Sequence, residues 1–398
     1  LYSFLRLSEY FRRSNVISLI NQLFERALDE GLKIPMNSYF SHPLSQQQAE
    51  DKAVGCILGG AIGDALGGPV EFLSLDQIRS KYGPNGIQEF DVAYGKVGAI
   101  TDDTQMTLFT IEGLIRANVR GTLRGVCHPP TVVGYAYQRW MKTQSEPYAS
   151  FSIDEKMPGW LILHKELHHR RAPGLTCLSA LRQWKESEAD NQSKGCGTVM
   201  RSAPFAFFYD PWKTAYDCAG ITHGHEEAKV SSAILAQAIY YILESNGVEN
   251  AFHKACELDT TNSLSSRLVR TALDLAHSSV DQYRAIESLG LGWVAEEALA
   301  IGVYAAVKAD RDYECGVRIA VNHSGDSDST GSICGNIMGA FLGERALPIR
   351  WVQQVELSDV IREISVDMVT NFPPDSENHT PEETKALTDA FWDKYPGY

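Results

Sequence analysis

A chain of 398 residues with 44% hydrophobic content can bury one large core or two smaller ones. Its 36 basic and 50 acidic side chains leave a formal charge of −14, which argues against a generic binder of nucleic acid or of anionic membranes. The eight cysteines form no C-x-x-C pair, no apolar run approaches bilayer length and no signal-peptide pattern is visible. Buried free thiols in a reducing, cytoplasmic setting are the expectation.

The first 44 residues read as a helical extension. Within residues 3–31 the stripe Val16, Ile17, Leu19, Ile20, Leu23, Phe24, Ala27 and Leu28 ends at Gly31, with Pro35 beyond it. The extension either packs on its own body or serves as a partner-binding arm on a turn-rich link. Ser45 then caps a helix that carries Gly55, Gly59, Gly60 and Gly63 and runs into Gly63-Asp64-Ala65-Leu66-Gly67. Glycine at that density costs helix stability unless two backbones must approach closely. The spacing is neither the dinucleotide G-x-G-x-x-G nor a phosphate-binding P-loop. Residues 73–97, with Gly83-Pro84-Asn85-Gly86, read as loop or short irregular structure.

Thr101 is placed as the N-cap of the next helix, with Asp102 and Asp103 in its first turn. A break at Cys127–Pro130, a helix near 131–143 and a polar loop over 144–158 follow. Leu161–His169 reads as helix, and two of its histidines, His164 and His168, share a face. The glutamate is out of place for H-E-x-x-H, so a solvated surface is favoured there over zinc. Gly195-Cys196-Gly197-Thr198-Val199-Met200-Arg201 reads as a basic-tipped turn suited to a phosphate or diphosphate. His223 and His225 precede an alanine-rich helix, and residues 228–320 read as several helices with turns at Ser245-Asn246-Gly247 and Leu289–Gly292. A helix through Ala340 opens at Gly325-Asp326-Ser327-Asp328-Ser329-Thr330-Gly331. Its start is like a calcium loop, but position twelve is Ile337 where an EF-hand needs glutamate. The tail from Pro373 is polar and closes on Ala390-Phe391-Trp392.

Acids in a first helical turn ordinarily complement the helix dipole. Two such starts more than 200 residues apart invite a second reading. If they meet, four carboxylates and several hydroxyls converge, and like charges that close cannot all ionise without a cation. Oxygen ligands alone suit Mg²⁺, Mn²⁺ or Ca²⁺ and not zinc.

From about residue 51 to 345 the chain resembles the ADP-ribosylglycohydrolases, the group that includes the glycohydrolase reactivating dinitrogenase reductase. The landmarks, in the family's order, are Gly63-Asp64-Ala65-Leu66-Gly67 with Glu71, Thr101-Asp102-Asp103, Gly195-x-Gly197-x-x-Met200-Arg201 and Asp326-x-Asp328-Ser329. The resemblance implies an all-α fold, a compact orthogonal helical domain over 45–372, with residues 1–44 as an N-terminal extension and 373–398 as a tail beside it. It implies two Mg²⁺ ions, or Mn²⁺, on Thr101, Asp102, Asp103, Asp326, Asp328 and Ser329. Asp102, Asp103 and Asp328 would thereby serve the chemistry, with Glu71 as acid, base or water-positioning group. Asp64, Gly195, Gly197, Met200, Arg201 and His223 fall on positions lining an ADP-ribose pocket. Ser329 keeps the hydroxyl of the more usual threonine. Cys196 replaces an asparagine, so one polar contact is expected to be lost. Asp154 and Glu155 lie near the place of an aspartate found in arginine-specific members without matching it, and that role is not carried over.

The implied activity is removal of ADP-ribose from protein side chains, arginine first. Two alternatives stand beside it. One is an immunity protein that captures an ADP-ribosyltransferase toxin through residues 1–40, and the other is a hydrolase of free compounds such as O-acetyl-ADP-ribose.

Overall fold

In the computed structural model, residues 44–144, 159–374 and 380–397 are described. The expectations for the extension 1–44 and for Asp154 and Glu155 lie outside them.

The glycine-rich helix forms as read: α1 spans Gln46–Gly67, and Ser45 caps it in a reciprocal box with Gln48. Short elements follow, α2 (Leu75–Tyr82) and a hairpin of β1 (Val92–Ala93) and β2 (Lys96–Val97). Next come α3 (Asp102–Arg124), α4 (Pro129–Thr143), α5 (Leu175–Gln183), α6 (Pro211–Ala219) and α7 (Glu226–Leu243). The second half holds α8 (Val248–Glu257), α9 (Leu264–His277), α10 (Gln282–Leu289), α11 (Ala295–Lys308) and α12 (Tyr313–Val321). It closes with α13 (Ser327–Leu342), α14 (Ile349–Gln354), α15 (Ser358–Val369) and α16 (Pro381–Lys394). The two-residue strands are the only sheet among the described residues, so the fold is all-α.

The glycines of α1 explain how the site is built. A Cβ on Gly59 would lie 2.6 Å from the Gly335 carbonyl oxygen, and one on Gly55 would lie 2.6 Å from that of Gly339. Gly63 faces Gly331 and Gly67 faces Ser327 in the same register, so α1 and α13 run antiparallel with backbones touching. The close approach inferred from composition is therefore real, and its partner is the helix that Asp326 opens. It delivers the C-terminal end of α1, with Asp64, to the N-terminus of α13. Around this pair the core is filled by large side chains such as Trp140, Trp351, Tyr137, Tyr304 and Phe109.

Two expectations are corrected. Residues 73–97 contain α2, which a Ser74–Gln77 capping box starts, yet it buries only Ile78 and so leaves little apolar period to read. Leu161–His169 forms two 3₁₀ turns and not a helix, because His164 is extended (φ −84°, ψ 109°) and divides them. The end of the tail is helical: Thr380 and Glu383 form a capping box with Pro381 at the first position, and Phe391 stacks on Phe372 at 5.3 Å. Among the described residues no helix is long and apolar enough to cross a membrane.

Candidate metal and substrate site

The two acidic helix starts meet. Thr101 is the N-cap of α3 and its hydroxyl accepts the Asp103 N–H at 3.3 Å. Asp326 caps α13, and the Ser329 N–H donates to Asp326 Oδ1 at 3.3 Å and to Asp328 Oδ1 at 2.9 Å. Burial raises the pKa of the Asp328 carboxyl, and the Thr101 hydroxyl at the other start is among the groups that offset it. Carboxylate oxygens of Glu71, Asp326 and Asp328 all lie within 4.8 Å of one another. Glu71 is thus as close to the α13 pair as a ligand would be. On the far side Asp102 is fixed twice, its N–H donating to the Arg171 carbonyl at 3.1 Å and its Oδ2 accepting the Gly174 N–H at 3.2 Å.

Electrostatics say what this arrangement lacks. Burial first, and then the neighbouring Asp328, push the carboxyls of Asp102 and Asp103 well above the usual range. Glu71 is pushed up to about 11 by burial and then by Asp328, Asp326 and Asp102. Buried like charges demand a counter-charge, yet Glu71 Oε2 and Asp103 Oδ2 have no hydrogen-bond partner. The donors are carboxylates and hydroxyls, the set that suits a hard divalent cation. The residues therefore fit a metal centre.

Asp64 is placed differently from the pocket position expected of it. It is fully buried, and its carboxylate accepts the N–H groups of Thr101 at 3.0 Å and Thr104 at 3.2 Å as well as the Thr104 hydroxyl. Its oxygens are occupied in holding the start of α3. The expected loss at Cys196 is not seen either, because its thiol donates to Asp326 Oδ2 at 2.7 Å.

The glycine turn is a partition whose buried side is polar. A Cβ on Gly197 would meet Cys177 Sγ at 2.9 Å and His223 Cε1 at 3.3 Å, so the backbone lies against the imidazole. His223 is buried and shares a 2.8 Å bond between Nδ1 and the Thr222 hydroxyl; burial and then Arg201 push its pKa down to about 3. The ring is neutral at pH 7. Arg201 is not a phosphate clamp on the surface: it is 1% exposed, donates to Thr222 Oγ1 at 2.6 Å and lies 4.5 Å from the Tyr137 ring centroid. Met200 is buried beside it, with its carbonyl 3.4 Å from the Thr107 hydroxyl. Gly195 pairs in an isolated bridge with Val294. Arg201 and Met200 thus support the turn from behind, and Gly195 and Gly197 supply its backbone.

The comparisons with known proteins give the family. The sequence model of the ADP-ribosylglycohydrolases matches residues 45–378. The chain belongs to the ADP-ribosylglycohydrolase family. It is 27% identical over 335 residues to the ADP-ribosyl-dinitrogen reductase glycohydrolase of Rhodospirillum rubrum, covering 79% of this chain and 93% of that one. It is 25% identical over 342 residues to an ADP-ribosylarginine hydrolase of Pseudomonas putida, covering 83% and 81%. A solved ADP-ribosylglycohydrolase-related protein complex superposes with a TM-score of 0.55 at 23% identity, over 81% of this chain and 98% of that one, a likeness of fold.

Around the site lie residues that motif reading does not find. Glu356, buried and far along the chain, accepts the Ile100 N–H at 3.3 Å and receives Arg171 and Lys96. It anchors the approach to Thr101 from beneath. Phe72 follows Glu71 and is 69% exposed, and its ring stacks on that of Trp293 at 5.8 Å with 20° between the planes. No local signal marks Glu356 or Trp293, since each matters only through a contact made by folding.

Proposed function

We propose that this protein is a metal-dependent hydrolase that removes ADP-ribose from arginine side chains of modified proteins, with Mg²⁺, or Mn²⁺, on the buried acidic centre. The observation that carries the reading is the meeting of the α3 and α13 starts in one buried cluster with two unpaired carboxylate oxygens. Thr101, Asp102, Asp103, Asp326, Asp328 and Ser329 would hold two ions, with Glu71 at their edge. Bound divalent ions supply a fixed anchor for the ribose diol and a water of lowered pKa.

The protein's own groups do the rest. Asp64 and Glu356 keep Thr101 and the first turn of α3 in place, so the ribose meets a preorganised surface. The Gly195–Gly197 backbone, backed by neutral His223, lets a diphosphate approach without a side chain in the way. Bond breaking at the ribosyl C1 leaves positive charge on the sugar, which carboxylates nearby stabilise. The water oxygen bonds to C1 and gives up a proton, the C1–nitrogen bond breaks, and the departing guanidine nitrogen takes a proton. Glu71, whose buried Oε2 has no hydrogen-bond partner, is the group assigned to carry that proton from the water to the nitrogen.

The test is release of ADP-ribose from an arginine-ADP-ribosylated protein, with Mg²⁺ and with EDTA, for wild type and Asp102→Ala. Release that chelation stops and the variant lacks is the expected result. A folded, metal-binding protein that releases nothing from arginine would overturn the reading and direct attention to serine-linked and free ADP-ribose esters.

A further inference from the structure

We propose that the stacked Phe72–Trp293 pair is the acceptor platform of this site, taking the planar guanidinium of the modified arginine. The inference rests on the arginine reading above and names the specificity-determining residues for it. Apolar rings of this size are ordinarily drawn into a core, yet Phe72 is 69% and Trp293 39% exposed. Both rings are rooted in the centre. Phe72 is bonded in sequence to Glu71, whose Oε2 is unpaired. The Trp293 carbonyl accepts the Cys196 N–H at 3.2 Å, and the Leu291 carbonyl accepts that of Asp326 at 2.9 Å. Trp293 and the start of α13 are therefore held by one loop.

The chemistry beside the rings selects what lies on them. Carboxylate oxygens of Glu71, the residue next to Phe72, and of Asp326 and Asp328 lie within 4.8 Å of one another. An aromatic face presents a negative quadrupole, so ring and acidic neighbours both favour a cation. Guanidinium is the cation that also stacks flat on an aromatic plane, which a compact ammonium does not. A neutral planar amide would gain the stacking and lose the charge.

The experiment is calorimetric titration of methylguanidinium into the Mg²⁺-loaded full chain saturated with ADP-ribose. Methylurea serves as the neutral isostere. In wild type methylguanidinium should bind about five-fold more tightly than methylurea, and Phe72→Ala or Trp293→Ala should each weaken it about five-fold. Phe72→Tyr and Trp293→Phe, which keep the ring, should restore binding to within about two-fold, while affinity for ADP-ribose itself stays unchanged. Equal binding of the two isosteres, indifference to both alanine changes, or a parallel loss of ADP-ribose affinity would each overturn the proposal. Guanidinium binding that depends on the rings, in a protein that does not hydrolyse arginine-linked ADP-ribose, would support the platform and overturn only the hydrolase reading. Arginine-linked hydrolysis with KM unmoved in both alanine variants would do the reverse.

Discussion

Gly59→Ala tests whether the site depends on backbone contact between α1 and α13. The new methyl would sit 2.6 Å from the Gly335 carbonyl oxygen, where ordinary contact begins at 3.4 Å. The obstacle is backbone, so the helices must part by about 0.8 Å or distort, and overpacking of that kind costs roughly 3 kcal/mol. Alanine regains about 1 kcal/mol of helix propensity, which leaves a net loss of about 2 kcal/mol. With about 2.1 cal/mol/K of unfolding entropy per residue over roughly 350 residues, that loss lowers Tm by about 3 °C. Gly247→Ala is the control, because nothing lies within 4 Å of its added methyl and it should cost about 0.5 kcal/mol or less. Differential scanning calorimetry measures both. Calorimetric Mg²⁺ binding should also weaken about three-fold in Gly59→Ala, because the α13 acids move relative to Asp64. If Gly59→Ala melts with the control and binds Mg²⁺ as wild type does, the glycine contact does not position the site.

Two further predictions concern charges away from the metal. Asp259 receives the N–H groups of Thr261 and Ser263 at 3.0 and 2.8 Å and the hydroxyls of Thr261, Ser263 and Ser266 at 2.6 Å each. Burial alone would raise its pKa, but those donors hold the carboxyl below its ordinary value. A depressed folded-state pKa stabilises above the unfolded value near about 4, and that stabilisation fades as pH falls toward the folded value. Asp259→Asn should therefore lose about 1–3 kcal/mol at pH 7 and a smaller amount at pH 3 by denaturant titration. Glu112 is fully buried against Arg139 at 2.8 Å and accepts the Leu161 N–H at 2.9 Å. Glu112→Gln leaves the guanidinium buried without its counter-ion and should cost about 3–5 kcal/mol, read as a fall in Tm with Mg²⁺ affinity unchanged.

What could be read from the sequence was whatever local chemistry dictates. Thr101 and Asp326 are recognisable as helix starts because hydroxyls and carboxylates cap N–H groups, and the glycines of α1 announce a close neighbour without naming it. α2 was hidden because an eight-residue helix with one buried side chain has no apolar stripe to show. Arg201 misled for a different reason. An arginine in a glycine turn looks like an anion site, and only Tyr137 and Thr222, brought in by other segments, turn it inward. Glu356 and Trp293 were illegible because their roles arise wholly from long-range contact.

The convergence itself has a physical logic that neither helix shows alone. Two helix N-termini aimed at one point bring two positive dipole ends together, which is unfavourable unless anions lie between them. Asp102, Asp103, Asp326 and Asp328 supply those anions, and the glycine contact sets how near they come. The acids outweigh the dipoles, since each helix end is worth about half an elementary charge and the cluster carries several. Burial first, and then this excess, raise the carboxyl pKa values of Asp102 and Asp103, which makes a divalent cation the natural complement.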